Sequence, residues 1–538
     1  MTNIFIFNNA SRAANYGIGT YVKHLTCGLM NTPNTKLSLI EMYADTKEFA
    51  ISDEENGVRH YLIPPHSQME NEAYCRIIFY FLARNIETNK KEQIVFLFNY
   101  FQHYPLAVLL KAWNPDCKIA LTVHYMNWCF ELRGNVQYMK EITTEGHKPK
   151  DDVERRVISS FADERAFMHL ADIIFVLSKS TKEILVNDYN VSLAKIHLVY
   201  NGIFGEIINM GNSVNRNRHI LFVGRLDEIK GLKYLIDAFY LITEKYPDTN
   251  LIIAGDGDFQ AYINQSRKLL GRVVFMGRIH QNELEEIYQS AYIGVIPSFH
   301  EQCSYTAIEM MRHGIPIIGT DSTGLKEMLD ATPHLRIHID DENFDENIFI
   351  SQLASRMDLL LSSYKTYQQA SNIVLKQYKE RYTMTTMIQG VQKAVLISKK
   401  NTGSNISSDY LPHIDKQMIT LINKCPDIDM DFYGLSGIGV YLWWRILQLE
   451  TEKTKNGDQI ALIKENLIYY LDWIEEICEN EPISTELFDT LSCMKSHSFY
   501  PTKVDSILKK SKKINGFSRF LPEQTILQNA LKICTCKI

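Results

Sequence analysis

At 538 residues the chain is too long for a single core, so two to four domains are expected. Its 45% hydrophobic and 22% charged residues exclude collagen-like and disordered chains. The net charge of −6, without a basic stripe, argues against a nucleic-acid binder, and the lysine-rich run 509–513 reads as a solvated helix face or loop.

The chain opens on a strand: Ile4-Phe5-Ile6-Phe7 has neither the cationic start nor the length of a signal peptide. Short apolar runs recur at 36–43, 94–98, 118–123, 172–177 and 196–200, separated by helical segments. A second set follows at 219–223, 250–254, 272–276, 293–296 and 316–319. Continuous apolar runs are strands buried on both faces, and strand–helix alternation implies parallel sheets. The prediction is an α/β chain of two doubly wound, Rossmann-like domains, residues 1–210 and 211–383, joined by the polar stretch 211–218. Residues 384–400 are expected as a helix crossing back to the first domain. Past the polar stretch 401–408, residues 408–538 are expected as an all-α appendage. No segment approaches 18 uninterrupted apolar residues, so no transmembrane span is expected, although peripheral membrane contact stays open. Ten scattered cysteines, several inside apolar runs (Cys75, Cys117, Cys129, Cys478), fit reduced thiols in a cytoplasmic protein. Cys534 and Cys536 have no close companion in sequence that would complete a metal site.

The apolar runs of the second set end alike, in glycine or polar residues: Gly224-Arg225, Gly255-Asp256, Gly277-Arg278, Pro297-Ser298 and Thr320-Asp321. The carboxyl ends of strands line the ligand crevice of an open parallel sheet, so five such loops converge on one ligand. Gly224 lets the backbone approach it, and Arg225 and Lys230 place two cations where a diphosphate carries its charge. In Glu301-Gln302-Cys303-Ser304-Tyr305-Thr306-Ala307-Ile308-Glu309, Ser304 can cap a helix whose first turn, with Tyr305 and Thr306, is an anion site. Glu309 lies further along that helix, suited to ribose hydroxyls, and Glu301 stays on the loop before it.

The run 297–316, with its two glutamates seven residues apart, resembles the signature of the retaining GT-B glycosyltransferases of family 4. The loop 222–231 is similar to the same family's Gly-Arg…Lys-Gly loop, and the resemblance extends over roughly the first 400 residues. It implies transfer of a sugar from a UDP- or GDP-linked nucleotide-sugar co-substrate to the hydroxyl of a glycan or peptide acceptor. By that resemblance Gly17 and Gly19 form a loop approaching the donor phosphates and the acceptor, and His124 bonds the donor sugar near its 6-position. Arg225 and Lys230 stabilise the leaving diphosphate, Arg278 meets the base through its backbone, Glu309 holds the ribose and Glu301 the transferred sugar. The chain departs from the family at Ser304 and at Ser322-Thr323-Gly324, where glycines are common. No Asp-x-Asp pair, the usual carboxylate chelator of a metal–diphosphate, is expected at the site, so neither a metal nor another cofactor is expected. An epimerase or hydrolase of the same fold, and a non-catalytic nucleotide-sugar-binding protein, are the alternatives. In the appendage, the run 432–442 is similar to a repeat of lanthionine-cyclase-like proteins without their zinc ligands, which would suit contact with a peptide.

Overall fold

The computed structural model describes residues 1–10, 17–30, 32–54, 56–65, 71–86, 92–114, 116–207, 218–339 and 343–397, with 446, 457–480, 483–484, 488, 491–492, 494–495, 500–511 and 513–514 of the remainder. Two parallel sheets carry the chain. The first domain runs β1 (Thr2–Asn9), α1 (Gly17–Leu29), β2 (Thr35–Met42), β3 (Ala50–Asp53), β4 (Arg59–Ile63), α2 (Asn71–Asn85), β5 (Gln93–Phe98), α3 (Tyr104–Trp113) and β6 (Lys118–Val123). It continues through α4 (Trp128–Glu131), α5 (Val136–Ile142), α6 (Asp152–Leu170), β7 (Ile173–Val176), α7 (Lys179–Asn187) and β8 (Ile196–Leu198). The strand order is β3-β4-β2-β1-β5-β6-β7-β8, parallel except for β3 against β4. β1 shows why its run is continuously apolar: Phe5 and Phe7 enter the core on one face of the sheet, Ile4 and Ile6 the core on the other.

The second domain runs β9 (His219–Val223), α8 (Leu232–Ile242), β10 (Leu251–Ala254), α9 (Phe259–Gln265), β11 (Val273–Gly277), α10 (Gln281–Ser290) and β12 (Ala291–Ile296). α11 (Tyr305–Arg312), β13 (Ile317–Thr320), α12 (Thr323–Met328), β14 (Arg336–Ile337), α13 (Glu346–Ser362) and α14 (Tyr364–Arg381) follow. Its strand order is β11-β10-β9-β12-β13-β14, all parallel. The order reverses between β9 and β12, which opens a crevice at their carboxyl ends.

Two chain crossings join the domains side by side. Residues 199–207 lead from the first to the second, and α15 (Met384–Ile397) returns to pack on α1, β7 and β8. The crossings bond to each other: Ile203 N–H donates to Tyr382 O (3.2 Å) and Met384 N–H to Ile203 O (3.0 Å). A Cβ at Gly202 would lie 2.4 Å from Thr383 O, so only glycine fits there. Further along α15, the buried Lys118 Nζ donates to Val395 O at 3.0 Å. Beside this joint, the Ser178 (3.1 Å) and Thr181 hydroxyls at the start of α7 both donate to the Gln302 amide oxygen. Glu327 accepts from Lys179 N–H (2.7 Å) and the Tyr200 hydroxyl, and Asn201 Nδ2 donates to Cys303 O (2.7 Å).

β3, β4 and β14 have no counterpart among the apolar runs. β3 is exposed at all four residues, β4 buries alternate residues only, and β14 has two residues. Where it is described the appendage is helical: α16 (Gly457–Asn480) and α17 (Pro501–Lys510) pack together, and beyond each lies a two-residue strand, Ile483–Ser484 (β15) pairing in parallel with Lys513–Ile514 (β16). Two residues carry no readable periodicity. Nor does its apolar face stand apart, since Leu467, Tyr470 and Ile474 belong to one buried cluster with Phe96 and Phe98. Most of the expected appendage before residue 457, including the lanthionine-cyclase-like run, with the linker 211–217, Cys534 and Cys536, lies outside the described residues, apart from Ile446, which is helical and buried. Among the described residues no helix is long and apolar enough to cross a membrane, and Cys75, Cys117, Cys129, Cys303 and Cys478 are buried free thiols.

Candidate active site

The loops after β9 and β12 interlock through glycine. Gly231 is left-handed (φ 69°), and a Cβ there would lie 2.2 Å from Pro297 O. Phe299 N–H donates to Ile229 O at 2.8 Å. The interlock brings Lys230 Nζ to 2.5 Å from Glu301 Oε1, residues 71 apart in sequence. Nearby, Arg225 pairs with Asp227 at 3.0 Å. The β10 loop closes on Gly224 in the same way, for a Cβ at Gly255 would stand 1.7 Å from Gly224 O.

Ser304 caps α11 as its residue type requires: its hydroxyl accepts from Ala307 N–H at 3.3 Å. Thr306 donates its hydroxyl to Val223 O (3.4 Å), tying this first turn to the end of β9. The Tyr305 ring lies 5.6 Å from that of His24 on α1, and its buried hydroxyl has no hydrogen-bond partner. One turn on, Glu309 accepts from the Tyr288 hydroxyl (2.7 Å), and burial pushes its carboxyl up to about 7. A pocket between the domains is lined by Glu309, Tyr288, Leu284 and Arg312 on one side and His24 and Phe204 on the other. Arg278 stands apart from this group: it is exposed, just past the outer strand β11, after a left-handed Gly277 (φ 69°).

In the first domain, His124 sits at the end of β6 with its Nε2 2.9 Å from Asn99 Oδ1 and its ring 4.6 Å from that of Tyr21. Burial lowers its pKa to about 3, so the ring is neutral. Asn99 Nδ2 donates to Phe7 O (2.9 Å), which turns its oxygen toward the imidazole. The proton is therefore assigned to Nε2, leaving Nδ1 as an acceptor. Gly17 and Gly19 are not a loop: both lie in the first turn of α1. Free amide groups at a helix start take the place of loop flexibility, and residues 11–16 before it lie outside the described residues.

The sequence contains three Asp-x-Asp triplets, Asp256-Gly257-Asp258, Asp427-Ile428-Asp429 and Asp429-Met430-Asp431, which removes one ground for expecting no chelating pair. In the first, Asp258 caps α9 by accepting from Gln260 N–H at 3.0 Å; the other two lie outside the described residues. Among the described residues no three His, Cys, Asp or Glu side chains gather as metal ligands. Sequence reasoning passed over Thr323, whose hydroxyl donates to Glu301 O (2.5 Å) and accepts from Glu301 N–H (3.2 Å). Its φ of 31° is unusual outside glycine, and its place in the departing Ser-Thr-Gly triplet is the signal that could have found it. His300 was also missed; it is buried beside Glu301 with Nδ1 unpartnered, and burial lowers its pKa to about 4.

Residues 17–204 match the family model Glycosyltransferase Family 4, and residues 217–352 match Glycosyl transferases group 1. The chain belongs to the glycosyltransferases of family 4. Over 172 residues it is 35% identical to an uncharacterized glycosyltransferase of Methanocaldococcus jannaschii, covering 29% of this chain and 44% of that one. Over 184 residues it is 29% identical to mannosylfructose-phosphate synthase of Agrobacterium fabrum, covering 30% and 40%. The chain thus spans less than half the length of these two curated relatives. Sucrose-phosphate synthase from Thermosynechococcus elongatus superposes with a TM-score of 0.56 at 17% identity, over 74% of this chain and 98% of that one. The fold of this family 4 glycosyltransferase is GT-B, two Rossmann-like parallel-sheet domains.

Proposed function

We propose that the chain is a retaining hexosyltransferase that takes a sugar from a UDP- or GDP-linked donor and places it on an acceptor hydroxyl without needing a divalent metal. The observation that carries this reading is the Lys230–Glu301 pair, held at the point where β9 and β12 part and flanked by Arg225 and the capped start of α11. With no donor bound the two charges neutralise each other. A donor separates their roles: Lys230 meets the diphosphate and Glu301 accepts from hydroxyls of the sugar. The acceptor oxygen attacks the anomeric carbon on the face from which the diphosphate departs. The bond from that carbon to the diphosphate oxygen breaks as the new one forms, and the acceptor proton passes to the departing oxygen. Arg225, Lys230 and the amide groups of Tyr305 and Thr306 stabilise the charge that develops there. Glu309 accepts from the ribose hydroxyls, the Arg278 backbone meets the base, Gly224 and the helix start at Gly17 and Gly19 admit the phosphates, and His124 Nδ1 accepts from a sugar hydroxyl.

Incubation with a panel of nucleotide sugars, reading nucleotide release and the anomeric configuration of the product, tests this. A donor left intact, or an inverted product, would sink the corresponding part. Activity abolished by EDTA and restored by Mg²⁺ or Mn²⁺ would overturn metal independence, and release of an epimerised sugar would favour the alternative chemistry.

A further inference from the structure

The strand ends of the first sheet carry a ligand surface whose chemistry differs from that of the second. β1 ends on Asn8-Asn9, β5 runs into Asn99-Tyr100-Phe101-Gln102, and β6 into His124-Tyr125-Met126-Asn127. These three ends hold amides, aromatic rings, Met126 and the His124 imidazole, with no Lys, Arg, Asp or Glu among them. The rings form a file: Phe101 to Tyr125 at 6.3 Å, and Tyr125 to Phe130 at 5.5 Å, both edge-on. Phe130 is 48% exposed although α4 buries its neighbours Trp128 and Cys129 completely.

The position of this file places it at the cleft. Its middle ring follows His124 in sequence. Just past α4, Arg133 and Gly134 are both left-handed (φ 49° and 81°), and a Cβ at Gly134 would come 3.2 Å from Phe299 O of the second domain. The segment 124–134 therefore bridges from a first-sheet strand end to the loop that carries Glu301. The charges along it are already engaged. Arg133 pairs with Glu228 (3.4 Å), and Glu131 with Arg156 (2.9 Å). Beneath it the buried Glu164 accepts from Asn127 N–H and the Tyr189 hydroxyl, each at 2.6 Å.

An aromatic surface attracts the C–H face of a pyranose, and amides exchange hydrogen bonds with its hydroxyls. A phosphate or carboxylate held here would meet neutral groups in place of cations, and losing its hydration would be unfavourable. From this contrast we infer that the acceptor is an uncharged sugar residue, docked against Tyr125 and Phe130 at the first-sheet strand ends. The inference rests on the transferase reading above. It goes beyond that reading by choosing a neutral glycan over a peptide or a phosphorylated sugar.

The test uses the full chain with the donor found in the nucleotide-sugar panel. The acceptors are methyl and p-nitrophenyl glycosides, the matching sugar 6-phosphates, and serine- and threonine-containing peptides. A neutral glycoside should show kcat/KM at least about tenfold above its phosphate, and Phe130→Ala should raise the glycoside KM by about tenfold, with Phe130→Tyr restoring it. Preference for the phosphate, use of peptides alone, or an unchanged KM in the Phe130→Ala variant would overturn the inference. Calorimetric donor affinity separates the two failures. A chain that binds and hydrolyses donor but uses no neutral glycoside overturns this inference alone. One that binds no donor overturns the transferase reading beneath it.

Discussion

In both sheets the chain starts at the centre, builds outward on one side, and returns to the other, so β1 beside β5 occupies the place that β9 beside β12 occupies in the second. The loops at these equivalent places are built differently. After β9 and β12 they are locked main chain against main chain through Gly231, with the β10 loop closing on Gly224 at Gly255, and the β9 loop carries Arg225 and Lys230. After β1 and β5 they are joined by side chains: Asn9 Oδ1 lies 2.9 Å from His103 Nε2, and the Tyr100 hydroxyl 3.4 Å from Asn8 Oδ1. Topology gives the same crevice twice, and only the residues at its lip differ; on the proposed reading that difference suits a diphosphate to the second and an uncharged acceptor to the first.

The contrast breaks most readily at the cations. Arg225→Ala and Lys230→Ala should each lower kcat by about 10²-fold or more in steady-state assays, and full activity in both variants would mean the second lip does not handle the diphosphate. The glycine interlock comes next. Gly231→Ala forces a left-handed alanine against the Pro297 carbonyl, and the second domain should lose about 2–3 kcal/mol in chemical denaturation; an unchanged midpoint would show that the loops are not locked as described. Glu309→Ala should weaken donor binding by about 1–3 kcal/mol, read by calorimetry on the folded variant. Last comes Glu164 on α6, buried beneath the segment 124–134. Burial pushes Glu164 up to about 7 from 4.5, so the stability it contributes is complete below about 4.5 and is lost as pH rises through 7. Thermal melts should therefore decline across that window, and Glu164→Gln should decline less steeply; parallel curves would remove Glu164 from the account.

The parts legible in the sequence are those where local pattern and tertiary role agree. Residues 118–123 read as a strand because every side chain in β6 is buried. Ser304 reads as a cap because its own hydroxyl does the capping. β3 fails that condition, as an exposed edge strand owes its form to β4 beside it. The Lys230–Glu301 contact is illegible for a related reason, since it exists only because Gly231 lets one loop slide under another. Gly17 and Gly19 misled in the opposite direction, for glycines that suggest a flexible loop here open a helix.

The paired crossings at 199–207 and 382–384 constrain more than connectivity. A single linker would let one domain swing and twist about any axis. Two strands of chain bonded at Ile203, Tyr382 and Met384 behave like a door with two knuckles on one pin. Rotation about the axis through those residues disturbs the crossings least, whereas shear would strip both hydrogen bonds at once. A protease that nicks either crossing would leave the halves tethered by the other, so limited proteolysis there should yield a two-fragment complex that elutes as one species.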